Sequence, residues 1–294
     1  MRSPNVLKES KIFVRNDSAP LVSILIPVYN RRDLVLSAID SCLKQSYENI
    51  EIIICDNCST DGTLERIQTL YANHHNIALL SQESNLGPVA NWYSCVEYSK
   101  GLYVKILFSD DIILPDCIKS MVCAMDESSA LVYSACLIGP TVKDSVAKYL
   151  DSNTTTLIPH NYPRLRALIR YGLGCEMPVS PGSALFRRDL VLQSLHDSLT
   201  NPPCADALAL GAGPDVKIFF DAIQSKPNYK HIPYPLVFFR AHSGSFTNGS
   251  NSIVRKSYSI SMKLYYKNLP FYARLARCFE PFLRVLRKFA QLFA

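Results

Sequence analysis

Residues 22–63 read VSILIPVYNRRDLVLSAIDSCLKQSYENIEIIICDNCSTDGT. Val22–Val28 and Ile50–Cys55 are almost continuous apolar, β-branched runs of strand length, the pattern of strands buried on both faces. Between them Leu34, Ala38, Ile39, Cys42 and Leu43 recur at helical spacing. Two such predominantly apolar strands joined through a helix predict a parallel sheet covered by helices on both faces.

The same alternation continues along the chain. Leu64, Ile67, Leu70 and Tyr71 repeat with helical period, Ile77–Ser81 reads as a third strand, and Pro88–Ser99 as a helix opened by proline. Tyr103–Phe108 is a fourth strand ending at Ser109-Asp110-Asp111, Pro115–Met125 a helix, and Ala130–Ile138 a fifth strand. Beyond Gly139 the period is less clear. Residues 140–160 read as a polar loop and 161–171 as a short helix. A strand follows at Ser183–Phe186, then the Pro/Gly/Ala-rich stretch Asn201–Pro214. A helix is predicted at Val216–Gln224, and a last strand at Ile232–Phe239, ending in Arg240-Ala241-His242. The fold class is α/β, a Rossmann-like, doubly wound, mostly parallel sheet. Its ligands belong in the crevice at the carboxyl ends of the strands. Asn30, the CDNCSTDGT loop (Cys55–Thr63) and Ser109-Asp110-Asp111 all fall at such ends.

Composition narrows the class. The chain has 294 residues, enough for one large domain or two small ones, with 48% hydrophobic and 19% charged residues, an ordinary globular mixture. The N-terminal stretch lacks an apolar leader core, and the apolar run Ala130–Val142 is too short to span a bilayer, so a cytoplasmic location is expected. Ten cysteines, among them Cys42, Cys95, Cys117, Cys123 and Cys136 in core-like segments, fit reduced thiols acting as small hydrophobes. The net charge of +6 is concentrated in the tail. Residues 262–294 hold seven basic side chains and only Glu280 as an acid, leaving 24 basic and 24 acidic residues in 1–261. A neutral body argues against nucleic acid as a partner.

Asp110-Asp111 carries the clearest chemistry. Adjacent carboxylates in a cleft repel, and a divalent cation relieves the repulsion. Mg²⁺ or Mn²⁺ held by one or two carboxylates and completed by phosphate and water suits a nucleotide diphosphate. The alternative is a solvated turn before a helix. Cys55-x-x-Cys58 has no second pair to complete a zinc site, so the cysteines are incidental to Asp56 between them.

Residues 22–63, residues 85–116 (NLGPVANWYSCVEYSKGLYVKILFSDDIILPD) and residues 235–247 (PLVFFRAHSGSFT), taken in order, resemble the family 2 glycosyltransferases. The resemblance covers residues 20–125 strongly and 180–247 loosely. It implies a GT-A fold and inverting transfer of a sugar from a nucleotide diphosphate donor. Pro27, Tyr29 and Asn30 would line the nucleotide pocket. Asp56 would accept a hydrogen bond from a base N–H, which fits uracil, thymine or guanine. Asp61 would cap the following helix. Asp110 and Asp111 match the metal motif, with Asp111 the more direct ligand, although Phe108 stands where the family has a first aspartate. Asp215 falls where the family places the base that takes the acceptor proton, and it could also be the N-cap of Val216–Gln224. Arg240 and His242 would approach the diphosphate or the metal, with Gly244, Ser245 and Asn248 forming a lid. Asn91 faces either the nucleotide or the sheet.

The resulting organisation is an extension (1–20), a nucleotide-sugar-binding half (21–138), a smaller acceptor-side half (139–250) and a basic tail (251–294). In a helical projection of the tail, Phe271, Leu275, Phe279, Phe282, Leu286 and Phe293 share a face opposite Arg274, Arg277, Arg284 and Arg287. That amphipathic pattern suits either an anionic membrane surface or packing on the domain. The expected activity builds a cell-surface polysaccharide on a glycan or lipid-linked acceptor at the inner face of the plasma membrane. A degenerate, non-catalytic domain of the same fold and a nucleotidyltransferase are the competing readings.

Overall fold

In the computed structural model the described residues are 3–10, 19–148, 180–226, 228–242 and 252–267. One mixed sheet organises them. Its strands are β1 (Asn5–Lys8), β2 (Val22–Val28), β3 (Ile50–Asp56), β4 (Ile77–Ser81) and β5 (Tyr103–Ile106). They continue with β6 (Ile112–Ile113), β7 (Ser129–Gly139), β8 (Val146–Lys148), β9 (Ala184–Arg187) and β10 (Asn228–Arg240). The order across the sheet is β1-β4-β3-β2-β5-β9-β7-β10-β6, with β8 paired to β7.

β2, β3, β4 and β5 are mutually parallel, and β10 runs parallel to β7. β9 lies antiparallel to both β5 and β7, so it joins two blocks that point the same way. The chain steps outward from β2 through β3 to β4, then returns to place β5 on the other side of β2. This reversal opens the crevice at the carboxyl ends of β2 and β5.

Helices cover both faces. On one face α1 (Leu34–Leu43), α2 (Thr63–Tyr71) and α4 (Cys117–Ala124) pack on Val22, Ile24, Ile26, Ile52 and Ile54. On the other, α3 (Pro88–Tyr98), α5 (Arg188–Thr200) and α7 (Pro214–Ser225) pack on Leu25, Ile53, Cys55 and Leu80. Alternate residues of β2 and β3 thus feed opposite cores, and every position of both strands is buried. Pro27 is tolerated in β2 because its ladder to β5 ends at Leu25, which accepts from Leu107 N (2.8 Å). The missing N–H of Pro27 would point to that unpaired side.

α6 (Ala205–Leu210), α8 (Ser252–Lys267) and a single 3₁₀ turn at Pro181–Ser183 complete the described elements. Three sequence expectations need correction. The polar loop predicted from residue 140 contains β8 at its start. The Pro/Gly/Ala-rich stretch before Pro214 holds α6. Cys123, expected in the core, is exposed on α4, whereas Cys42, Cys55, Cys95, Cys117 and Cys136 are buried. The short helix predicted at 161–171, the lid at 244–248 and the amphipathic tail at 271–293 lie outside the described residues. No described helix is long and apolar enough to cross a membrane.

Candidate active site

Three strand ends and two loops meet at the crevice. After β2, Asn30 turns the chain with φ of 50°, a left-handed conformation that asparagine tolerates. Its side-chain Oδ1 accepts from Thr60 N (2.8 Å), and its amide donates to Ser59 Oγ (2.9 Å). Asp61 accepts from Arg32 N (3.2 Å) and Thr63 N (3.0 Å), tying the same two loops together at the start of α2. Asp61 is not the N-cap expected of it, since α2 begins at Thr63 with Gly62 as N-cap, but its carboxylate accepts the first helical N–H. Cys58 also sits at positive φ (62°), so it occupies a tight turn and is no part of a disulfide.

Asp56 closes β3, buried, with Oδ2 accepting from Ser59 N (2.9 Å). Its Oδ1 is buried with no hydrogen-bond partner. Burial raises its carboxyl above the usual range, against the lowering effect of Ser59. Asn91, on α3, donates from Nδ2 to Cys55 O (2.9 Å), so it secures the end of β3 next to Asp56. Asn57, which sequence reading passed over, anchors the next loop: its Oδ1 accepts from Leu86 N (3.0 Å) and its Nδ2 donates to Asn85 Oδ1 (2.9 Å). Pro27 is buried inside β2, while Tyr29 is exposed beyond its end.

Asp110 and Asp111 follow β5, and the end of β10 closes on them. Arg240 donates from its amide to Asp111 Oδ1 (3.1 Å) and from Nε to Asp110 O (3.1 Å). His242 Nε2 lies 3.0 Å from Asp110 Oδ2. Arg240 and His242 are therefore brought to the acidic pair across about 130 residues of sequence. Asp111 is 7% exposed, and burial together with the charge of Asp110 pushes its carboxyl well above the ordinary range.

A buried cation stands behind it. Lys105, fully buried on β5, donates through Nζ to Gly182 O, and its charge opposes the upward shift of Asp111. Burial in turn lowers the Lys105 ammonium below its usual range. Its signal in the sequence was a lone lysine inside the apolar run Tyr103–Phe108.

Among the described residues no group of three or more His, Cys, Asp or Glu side chains could hold a metal. A cation here would have one or two carboxylates and would complete its shell with diphosphate and water, a donor set that suits Mg²⁺ or Mn²⁺. Phe108 sits against Trp92 with ring centroids 5.5 Å apart, so the residue in place of a first aspartate is a packing element.

Asp215 belongs to a second cluster. It is not the N-cap itself: α7 begins at Pro214 with Gly213 as N-cap. Its Oδ1 nevertheless accepts from Gly213 N (2.8 Å) and Val216 N (2.7 Å). Its Oδ2 accepts from Tyr258 Oη on α8, a partner 43 residues away that no local pattern reveals. Burial pushes the Asp215 carboxyl up to about 6, against the hydrogen bonds from Tyr258, Gly213 and Val216. The turn before α7 packs on aromatic rings: a Cβ on Gly211 would lie 2.6 Å from Trp92, and Trp92 contacts Phe108, two residues before Asp110 in the sequence.

The chain is similar to several known proteins. Chondroitin synthase of Escherichia coli is 39% identical over 101 residues, covering 34% of this chain and 14% of that protein. The putative teichuronic acid biosynthesis glycosyltransferase TuaG of Bacillus subtilis is 39% identical over 92 residues, covering 31% of this chain and 36% of that protein. The matched region is thus a minor part of these relatives' length. The solved structure of S. aureus TarS 1-349 in complex with UDP-GlcNAc superposes with a TM-score of 0.60 at 18% identity, over 85% of this chain and 68% of that one. That likeness shows the GT-A type fold. Residues 23–193, more than half of the chain, match the family described as Glycosyl transferase family 2, and the protein belongs to that family.

Proposed function

We propose that this protein transfers a sugar, with inversion, from a UDP-, dTDP- or GDP-linked donor to a glycan or lipid-linked acceptor during synthesis of a cell-surface polysaccharide. The observation that carries the reading is the buried Asp111 beside Asp110, clasped by Arg240 and His242 at the carboxyl end of β5. Two carboxylates facing a guanidinium and an imidazole form a place where diphosphate charge and a divalent cation balance each other. The relatives named for chondroitin and teichuronic acid synthesis, and the UDP-GlcNAc complex of TarS, support the substrate class.

In this reading Asp56 Oδ1 accepts from the base N–H, and Asn30 and Tyr29 border the nucleotide. Asp111, with Asp110, would hold Mg²⁺ or Mn²⁺, which would neutralise charge on the departing diphosphate. Arg240 adds positive charge on the same side, and His242 a ring nitrogen beside Asp110. Asp215 takes the proton of the acceptor hydroxyl as its oxygen attacks the anomeric carbon and the bond to the phosphate oxygen breaks, inverting that carbon. The nucleotide diphosphate leaves. The basic tail would hold the enzyme on the cytoplasmic face of an anionic membrane, where a lipid-linked acceptor resides.

Nucleotide sugars screened for thermal stabilisation and for metal-dependent release of nucleotide diphosphate test the reading. Turnover should disappear in Asp111→Asn and Asp215→Asn, with UDP binding retained in the second. Full turnover in both variants would overturn the site assignment.

A further inference from the structure

Asp215 is gripped from outside its own helix, and the grip has a consequence for the base. α8 lies on the turn that precedes α7. Ser257 Oγ donates to Ala212 O (2.8 Å), and a Cβ on Gly213 would lie 2.1 Å from Ser261 Oγ, so serine side chains of the helix press directly on the backbone of the turn. One helical turn further on, Tyr265 rests on Phe220 of α7 with ring centroids 5.8 Å apart. Ser257, Ser261 and Tyr265 form an i, i+4, i+8 stripe, all buried. Beside this stripe Tyr258 delivers its phenol to Asp215 Oδ2.

We infer that Tyr258 is a positioning residue for the proposed base: its phenol orients the Asp215 carboxylate and leaves one acceptor site on Oδ2 for the incoming hydroxyl. A carboxylate accepts about four hydrogen bonds. Gly213 N and Val216 N take two on Oδ1, and Tyr258 takes one on Oδ2. The remaining lone pair is fixed in direction because the other three donors are fixed by two helices. Burial and the charge of Asp215 push the Tyr258 phenol far above the ordinary range, so it remains a hydrogen-bond donor to the carboxylate.

The inference deepens the reading of Asp215 as the base and rests on it. Other ionisable groups near this cluster are Tyr265 on α8, Cys204 ahead of α6, and Asp221 and Lys217 on α7. Lys217 pairs with Asp221, and neither donates to Asp215. Tyr258 is therefore the side-chain donor whose removal should be felt by the carboxyl.

The test is Tyr258→Phe in the full chain, which keeps the ring and removes the hydroxyl. The Asp215 carboxyl is followed by ¹³C NMR, its resonance assigned by its loss in Asp215→Asn, so no substrate is needed. Losing a hydrogen bond to the charged form should raise the carboxyl midpoint by about one unit or more. With UDP-GlcNAc and related UDP-sugars as donors, the acidic limb of kcat should rise by the same interval. Turnover at neutral pH should fall about tenfold, with the donor KM unchanged. An unmoved midpoint in Tyr258→Phe overturns the inference. If Asp215→Asn retains turnover, the base reading fails instead. A raised midpoint with an unmoved kcat limb also counts against the positioning role.

Discussion

At Asp56 one carboxylate oxygen accepts the Ser59 amide while the other is buried without a partner. A buried unsatisfied acceptor costs free energy unless a ligand supplies the donor. Asp56→Ala should therefore weaken UDP binding by roughly 10- to 100-fold, the equivalent of one hydrogen bond to a charged acceptor. Titration calorimetry with UDP checks this, and unchanged affinity would remove Asp56 from the nucleotide site. Asp215 makes a different claim. Its carboxyl, raised by burial to about 6, is protonated below that pH and cannot accept the acceptor proton. Transfer should fall as pH drops through about 6 and level off above it, and Asp215→Asn should cost about 10²–10⁴-fold in kcat. A kcat–pH profile without an acidic limb near that value would contradict the assignment. Folding shifts this group in the same direction, so its protonation adds stability on acidification from the folded midpoint toward the ordinary carboxylate range.

Elements show how far sequence reading reached. β2, α1, β3 and α3 were legible because each has a dense apolar period and a fixed punctuation, such as Pro88 at the start of α3. α5 escaped the same reading. Half of its buried stripe is serine, Val191 and Leu195 alternating with Ser194 and Ser198, so periodicity in hydrophobicity is weak where periodicity in burial is strong. The antiparallel insertion of β9 was equally silent, since pairing partners on β5 and β7 are set by the whole sheet and not by four residues. In the candidate site, the acids at strand ends were readable from position alone. The grip of α8 on α7 was not, because it depends on two helices meeting. That contact leads to a prediction at Gly213, which has φ of 115° and no space for a Cβ against Ser261. Gly213→Ala should lower stability by about 2–4 kcal/mol through backbone strain and overpacking. Denaturant unfolding measures it. A loss below about 0.5 kcal/mol would mean that α8 does not press on this turn, given the usual size of surface substitutions.

Over the whole molecule, charge is divided in a way the fold does not require. Residues 1–261 are neutral in sum, so a folded body would approach an anionic surface without net attraction. The excess resides after α7, and α8 itself is committed to the turn at Gly213 through Ser257 and Ser261. A truncation meant to test membrane binding must therefore spare α8, because a cut near Ser261 would also release Tyr258 and Tyr265 from the Asp215 cluster. Ending the chain at Lys267 removes five basic residues and Glu280, together with Phe271, Phe279, Phe282, Phe289 and Phe293. If the tail docks as proposed, each basic side chain near an anionic surface adds about 1 kcal/mol, screened over a Debye length of about 10 Å at 0.1 M salt. Full-length protein should then sediment with phosphatidylglycerol vesicles at low salt and much less with phosphatidylcholine vesicles. The Lys267-terminated protein should remain in the supernatant with both. Its UDP affinity and thermal midpoint should match those of the full chain, because Asp56, Asp111 and Asp215 have their described partners within residues 1–267. Equal sedimentation of the two proteins would assign the attraction to the body, and a lowered thermal midpoint in the shorter one would show that the tail packs on the domain.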